Sequence, residues 1–189
     1  MKKSRIAILA SGNGTNAEEI IKYFRNHASI EVILVLSNNV NAFVLERAKK
    51  HGITHRAFTK AEFKDSVVLE WLKQYDVTHI VLAGFLWLIP DNLIKHFPNK
   101  IINIHPALLP KHGGKGMYGM RVHEAVKISG DVETGITIHL VNEHYDEGKI
   151  LFQARCSVET NYTPQAIAEC VHKLEYEYYP KVIEKWIME

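Results

Sequence analysis

Asn103 and His105 stand two residues apart at the end of an apolar run, Ile101-Ile-Asn-Ile-His-Pro-Ala-Leu-Leu-Pro110. In an extended strand successive side chains alternate faces, so residues two apart point the same way. An amide and an imidazole would therefore project together from one strand end. Pro106 cannot donate to a ladder and tends to stop a buried strand there. A carboxylate, Asp146, follows in His144-Tyr-Asp-Glu-Gly148. Amide, imidazole and carboxylate together can polarise a carbonyl, hold an oxyanion and move a proton. The bland alternative is a turn histidine with a satisfied side chain, and the spacing alone fits both.

A second group is built for anions. Ser11-Gly-Asn-Gly-Thr-Asn16 follows an apolar run and opens a helical pattern. Backbone N–H groups at a helix N-terminus attract anions, and glycines let a phosphate approach the backbone closely. The loop lacks the Gly-Lys-Ser/Thr of a Walker motif, and Ala17 interrupts a Gly-x-Gly-x-x-Gly fingerprint. A phosphate monoester fits better than a dinucleotide or a nucleoside triphosphate. A plain strand-to-helix turn is the competing reading.

The elements that must position these groups alternate. Strand patterns cover Arg5 to Ala10, Ile30 to Leu36, Thr54 to Phe58, Thr78 to Ala83 and Lys100 to Ile104. Helical patterns cover Glu18 to Phe24, Ala42 to His51 with Gly52 as its stop, and Lys60 to Tyr75. Such alternation predicts an α/β fold with a mostly parallel, Rossmann-like sheet and helices on both faces. After a glycine-rich loop, Lys111 to Gly119, and a helix from Val122 to Ser129, the pattern changes. Gly135 to Val141 and Ile150 to Val158 alternate around the Asp146-Glu-Gly148 turn and predict an antiparallel hairpin. Thr163-Pro164 supplies an N-cap and a first-turn proline for a long C-terminal helix, with a kink expected at Pro180.

Composition sets the class. The 189 residues suit a single domain, residues 1–189, long enough to bury a core without staples. With 47% hydrophobic and 23% charged residues and a net charge of +2, no strong field for nucleic acid or membrane is implied. Cys156 and Cys170 form neither a disulfide framework nor a zinc pattern and read as buried thiols in a reducing compartment. The first apolar run is too short for a signal peptide and no run reaches a membrane span, which points to the cytoplasm. His105, His112, His123, His139 and His144 lack a helical His-x-x-x-His pair or a cysteine partner, so no metal is expected. The oligomeric state is not legible.

The chain resembles the folate-dependent phosphoribosylglycinamide formyltransferases of purine synthesis, nearly end to end. The resemblance rests on Ser11-Gly-Asn-Gly-Thr-Asn16, Leu82-Ala-Gly-Phe85, Asn103-Ile-His-Pro-Ala-Leu-Leu-Pro110, Thr134-Gly-Ile-Thr-Ile-His139 and Asp146-Glu-Gly148, in that order. It implies that Gly14, Thr15 and Asn16 hold a substrate phosphate and that Glu175 takes the ribose hydroxyls. It implies that Leu86, Trp87, Leu88 and Ile89 meet the pterin ring through their backbone, with Lys60 near the folate tail and Asn103 also facing the donor. The domain would then divide into a phosphate-substrate-binding half (1–100) and a catalytic, folate-binding half (101–189) that includes the C-terminal helix. The family commonly reads Met-Arg-Ile-Leu at 86–89, Arg at Lys60 and Ser at Ala107. Leu86-Trp-Leu-Ile89 therefore departs from it, leaving the Trp87 side chain free to pack outward, and Lys60 forgoes a bidentate carboxylate contact.

The activity so implied is formyl transfer from 10-formyltetrahydrofolate to the amine of glycinamide ribonucleotide. Asn103 and a protonated His105 would bind the oxyanion, with Asp146 favouring the imidazolium and relaying the amine's proton. Both ligands are small molecules; nucleic acid and membrane are not expected partners. Two rivals share the motifs. One is a formyltetrahydrofolate hydrolase, which usually carries an extra N-terminal domain. The other is a non-catalytic phosphate-ligand-binding domain on the same fold. A methionyl-transfer-RNA formyltransferase would need a further C-terminal domain and a more basic surface.

Overall fold

The computed structural model describes residues 3–189. The elements run β1 (Ser4–Leu9), α1 (Thr15–Phe24), β2 (Ile30–Ser37), α2 (Phe43–Lys50), β3 (Thr54–Ala57), α3 (Lys60–Lys64), α4 (Val67–Gln74) and β4 (His79–Leu82). They continue α5 (Asp91–His96), β5 (Ile101–His105), α6 (Met120–Ser129), β6 (Glu133–Leu140), β7 (Ile150–Ser157) and α7 (Pro164–Met188). One seven-stranded sheet has the order β3-β2-β1-β4-β5-β6-β7. The first five strands are parallel, and β6 and β7 add as antiparallel neighbours. This is the expected α/β architecture with its hairpin in the second half.

Alternation along the central strands builds the two layers. Ile6 and Ile8 of β1 face one core with Ile20 and Phe24 of α1, Val44 of α2 and Tyr179 and Ile183 of α7. Ala7 and Leu9 face the other, with Phe63 of α3, Leu72 of α4 and Leu93 of α5. Both faces being covered, the inner parallel strands β1 and β4 carry continuous apolar stretches, Ile6–Leu9 and Ile80–Leu82, rather than alternating polar and apolar residues. Tyr179, fully buried, also donates its hydroxyl to the Leu82 carbonyl at 2.8 Å, which satisfies the one polar atom it brings inside.

Two details differ from the sequence pattern. The helix expected over Lys60 to Tyr75 is broken at Ser66, whose φ of 68° is left-handed. A capping box, Thr59 with Glu62, starts α3, and the break lets Phe63 stack on Phe58 while Val68 and Leu72 turn into the core. The six-residue α5 is too short to show a helical period. Helix α7 continues through Pro180 as one assigned helix. Cys156 and Cys170 are free and half-buried, and burial together with the neighbouring Cys170 pushes the Cys156 thiol up to about 12.

Candidate active site

Sheet order reverses between β1 and β4, the place where open α/β sheets receive ligands at the C-terminal strand ends. The two loops there are tied together. Ser11 N–H donates to the Gly84 carbonyl at 3.0 Å, and Leu86 N–H donates to Ser11 Oγ at 3.0 Å. Beside them opens a cavity of about 600 Å3, a size suited to drug-sized ligands. Its walls include Gly12–Asn16, Leu82–Ile89, Asn103, His105, Asp146 and Glu175. Both halves of the chain thus contribute walls. Lys60 sits exposed at the start of α3 and is not among these lining residues.

The phosphate-type loop is shaped by α2. Gly14 has φ 74° and caps α1, and a Cβ there would overlap the Val44 side chain. Val44 N–H in turn donates to the Gly12 carbonyl at 3.1 Å. Arg47, one turn along, donates from Nε to the Asn13 carbonyl at 2.8 Å and from Nη2 to Asn13 Oδ1 at 2.9 Å. Its third arm pairs with Glu18, which His51 also reaches at 2.9 Å. Sequence reasoning missed Arg47 because its contact with Asn13 spans 34 residues. Charge-assisted bonds of this kind contribute roughly 1.5–3 kcal/mol. Arg47→Ala is expected to raise KM for a phosphorylated acceptor about tenfold while leaving donor KM unchanged, with partial recovery in Arg47→Lys, whose point charge cannot reproduce the fork. Steady-state kinetics with each substrate varied in turn read this, and an equal rise for both would count against the loop's assignment.

Asn16 and Glu175 meet in the cavity wall, Nδ2 to Oε2 at 2.9 Å. Glu175 is only 6% exposed, and burial pushes its carboxyl up to about 7, with the Asn16 bond opposing. A solvated helix glutamate would show neither property, so this carboxyl is kept in the wall at a cost.

The chemical groups gather at the end of β5. Antiparallel register sets Asn103 opposite His139 and His105 opposite Thr137. His139, 2% exposed, directs Nδ1 to the Leu140 carbonyl at 2.9 Å, so Nε2 is left as the acceptor when the ring is neutral. Asn103 Nδ2 lies 3.2 Å from that nitrogen and 3.5 Å from Asp146 Oδ1. His105, 3% exposed, sets Nε2 2.8 Å from the His112 carbonyl and Nδ1 3.5 Å from Asp146 Oδ2. Asp146 itself has φ 58° and accepts the Gly114 N–H at 2.9 Å. Gly148 closes that turn where a Cβ would overlap the Leu140 carbonyl. Thr137 pins the chain after His105, accepting from Leu109 N–H at 3.0 Å and donating to the Ala107 carbonyl at 2.7 Å.

Burial lowers the His105 pKa; the Asp146 charge and the His112 carbonyl pull the other way without fully offsetting it. For Asp146 burial acts upward, but the nearby His139 ring, the His105 charge and the Gly114 N–H outweigh it and hold the carboxyl down. The amide of Asn103 and Nδ1 of His105 both face a carboxylate at 3.5 Å, longer than a good hydrogen bond, so both directions are open to a ligand oxygen. Of the expected site residues, Asn103, His105 and Asp146 are brought together and Gly14, Thr15, Asn16 and Glu175 form the far wall. Leu86, Trp87, Leu88 and Ile89 line the cavity as well. Trp87 does not pack outward; it rests on Phe58, Phe63 and Phe85. In the sequence His139 stands out only as the last residue of the Thr134–His139 motif and among five clustered histidines. His123, another lining residue, has its pKa pushed down to about 4 by burial.

The fold and this cluster define a class. The formyl transferase family model matches residues 4–183, and the chain belongs to that family. Within it the likeness is to phosphoribosylglycinamide formyltransferases. The chain is 36% identical over 192 residues to the one from Bacillus subtilis, covering 98% of this chain and 94% of that one. It is 39% identical over 189 residues to the chloroplastic one from Arabidopsis thaliana, covering 96% of this chain. It spans 65% of the length of that plant relative and 61% of the Vigna unguiculata one. The solved phosphoribosylglycinamide formyltransferase from Streptococcus pneumoniae superposes with a TM-score of 0.86 at 31% identity, covering 99% of each chain. Among the described residues no helix is long and apolar enough to cross a membrane.

Proposed function

We propose that this chain transfers the formyl group of 10-formyltetrahydrofolate to the amine of glycinamide ribonucleotide. The observation that carries the reading is one cavity whose walls include both the anion-suited loop Gly12–Asn16 and the Asn103–His105–Asp146 cluster. A phosphorylated acceptor anchored at Gly14, Thr15 and Asn16, with its ribose hydroxyls on Glu175, would direct its amine toward β5. The donor's ring would lie along Leu86–Ile89. The first hundred residues supply the phosphate end and the remainder supplies the chemistry, although the donor wall belongs to the first part.

The amine nitrogen attacks the formyl carbon, a C–N bond forms, and the carbonyl pair becomes an oxyanion. Asn103 Nδ2 and a protonated His105 Nδ1 receive that charge where it develops. Collapse breaks the bond from carbon to N10 of the folate. The attacking nitrogen loses a proton through Asp146, and N10 gains one, so no covalent enzyme intermediate and no metal are needed. His139 orients the Asn103 amide by accepting from it. On this reading the partners are two small molecules and neither nucleic acid nor membrane, and the free cysteines suit a cytoplasmic setting.

Consumption of 10-formyltetrahydrofolate by the purified chain should depend on added glycinamide ribonucleotide. Equal consumption without the acceptor would instead identify a hydrolase, and binding of the phosphorylated ligand with no turnover a non-catalytic domain.

A further inference from the structure

His112 has a left-handed backbone, φ 54°, although it carries a side chain. That conformation is disfavoured for a residue with a side chain and persists only where neighbours hold it. The holding contact is on its ring. Nε2 lies 2.7 Å from Asp131 Oδ2, and Lys111 Nζ reaches the same carboxylate at 2.9 Å. These two partners, His112 first, hold the Asp131 carboxyl down at about 2, so it is ionised wherever the protein works. Asp131 is itself fixed, set between Gly130, which ends α6, and the strand β6.

The left-handed turn aims the His112 carbonyl at His105, 2.8 Å from Nε2. A carbonyl only accepts, so Nε2 must carry the proton. The other nitrogen, Nδ1, is thereby the one presented to Asp146 and the cavity, bare in the resting neutral ring and carrying the second proton in the imidazolium that would meet the oxyanion. Among the described residues that line the cavity, neither His112 nor Asp131 appears, so neither is placed to touch substrate.

We propose that Asp131 and His112 are a positioning pair for the catalytic histidine. The hydrogen bond between them holds the turn whose carbonyl fixes the orientation and tautomer of His105. The proposal rests on the reading of His105 as catalytic and identifies what keeps Nδ1 available to the reacting group.

The test uses the full chain as Asp131→Ala, Asp131→Asn and His112→Gly. Glycine adopts the turn freely but has no ring to anchor. Ring 15N resonances of His105, assigned by their loss in His105→Gln, report the tautomer without any turnover. In Asp131→Ala and His112→Gly they should move from a fixed Nε2–H state toward an average of both tautomers. The kcat should fall about tenfold, with KM for both substrates within about twofold, a split that general loosening of the fold would not produce. Asp131→Asn, which keeps an acceptor for the His112 ring, should recover most of the rate. Unmoved His105 resonances in folded Asp131→Ala would overturn the tether. Moved resonances with full turnover would overturn the link to catalysis, and His105→Ala separately tests whether that histidine is catalytic at all.

Discussion

Asn103→Ala, His105→Ala and Asp146→Ala are each expected to lower kcat by at least about 10²-fold, the scale for an oxyanion donor or an acid–base group. Binding of either substrate should change far less, because these groups act on charge that develops during reaction. The geometry also predicts strong non-additivity. Asp146 faces both Asn103 Nδ2 and His105 Nδ1 at 3.5 Å, so its removal disturbs two donors at once. A second loss after the first should therefore cost little. Asp146→Ala also releases the Gly114 N–H, whereas Asp146→Asn keeps an acceptor there and separates loop order from proton transfer. Rapid-quench turnover and melting curves on the same samples decide the matter. A His105→Ala protein that melts lower yet turns over normally would reduce His105 to a satisfied turn residue.

Glu175→Gln should weaken the acceptor and strengthen the fold in the same variant. Burial lifts the native carboxyl to about 7 from 4.5, so the folded chain binds this proton more tightly than the unfolded one. The stability it contributes is complete below about pH 4.5 and is lost as pH rises through about 7, on the order of 3 kcal/mol in all. Glutamine has no such proton. Urea titrations at pH 4 and pH 8 should show the variant gaining on the native chain chiefly at the higher pH. At that pH KM for glycinamide ribonucleotide should rise about 10–100-fold, since on the proposed reading an amide replaces a carboxylate that would accept two hydroxyl bonds. No stability gain at pH 8 together with an unchanged KM would leave Glu175 without the role given to it. A wall residue that opposes folding where it is ionised is the pattern expected of a site kept for binding.

Local chemistry made much of the fold readable. Gly52 after α2, Thr163-Pro164 before α7 and the alternation of β6 and β7 each carry their signal within a few residues. The continuous apolar character of β1, β4 and β5 follows from burial on both faces, and Asn103 and His105 stand out against it. What escaped reading depends on distant partners. Ser66 breaks a helix that its own sequence would continue, because Phe63 and Val68 have separate places in the core. Arg47 looks like an ordinary surface residue until α2 sets it beside Asn13. His139 gains its meaning only from the register that puts it across from Asn103. His112 and Asp131 gain theirs only where the fold brings together the segments on either side of α6.

The bond from Tyr179 to Leu82 spans 97 residues. At roughly 5–20 residues per second of synthesis, the strand precedes its cover by about 5–20 s. During that interval the core face shared by Val81, Ile102, Tyr179 and Ile183 lacks the part this helix supplies. The nascent chain therefore passes through a seconds-long stage with a partly bare apolar sheet, a stage at which a holding chaperone would find its target. Arrest of translation just before residue 164 should yield a species that binds hydrophobic dyes, and release through α7 should extinguish that signal.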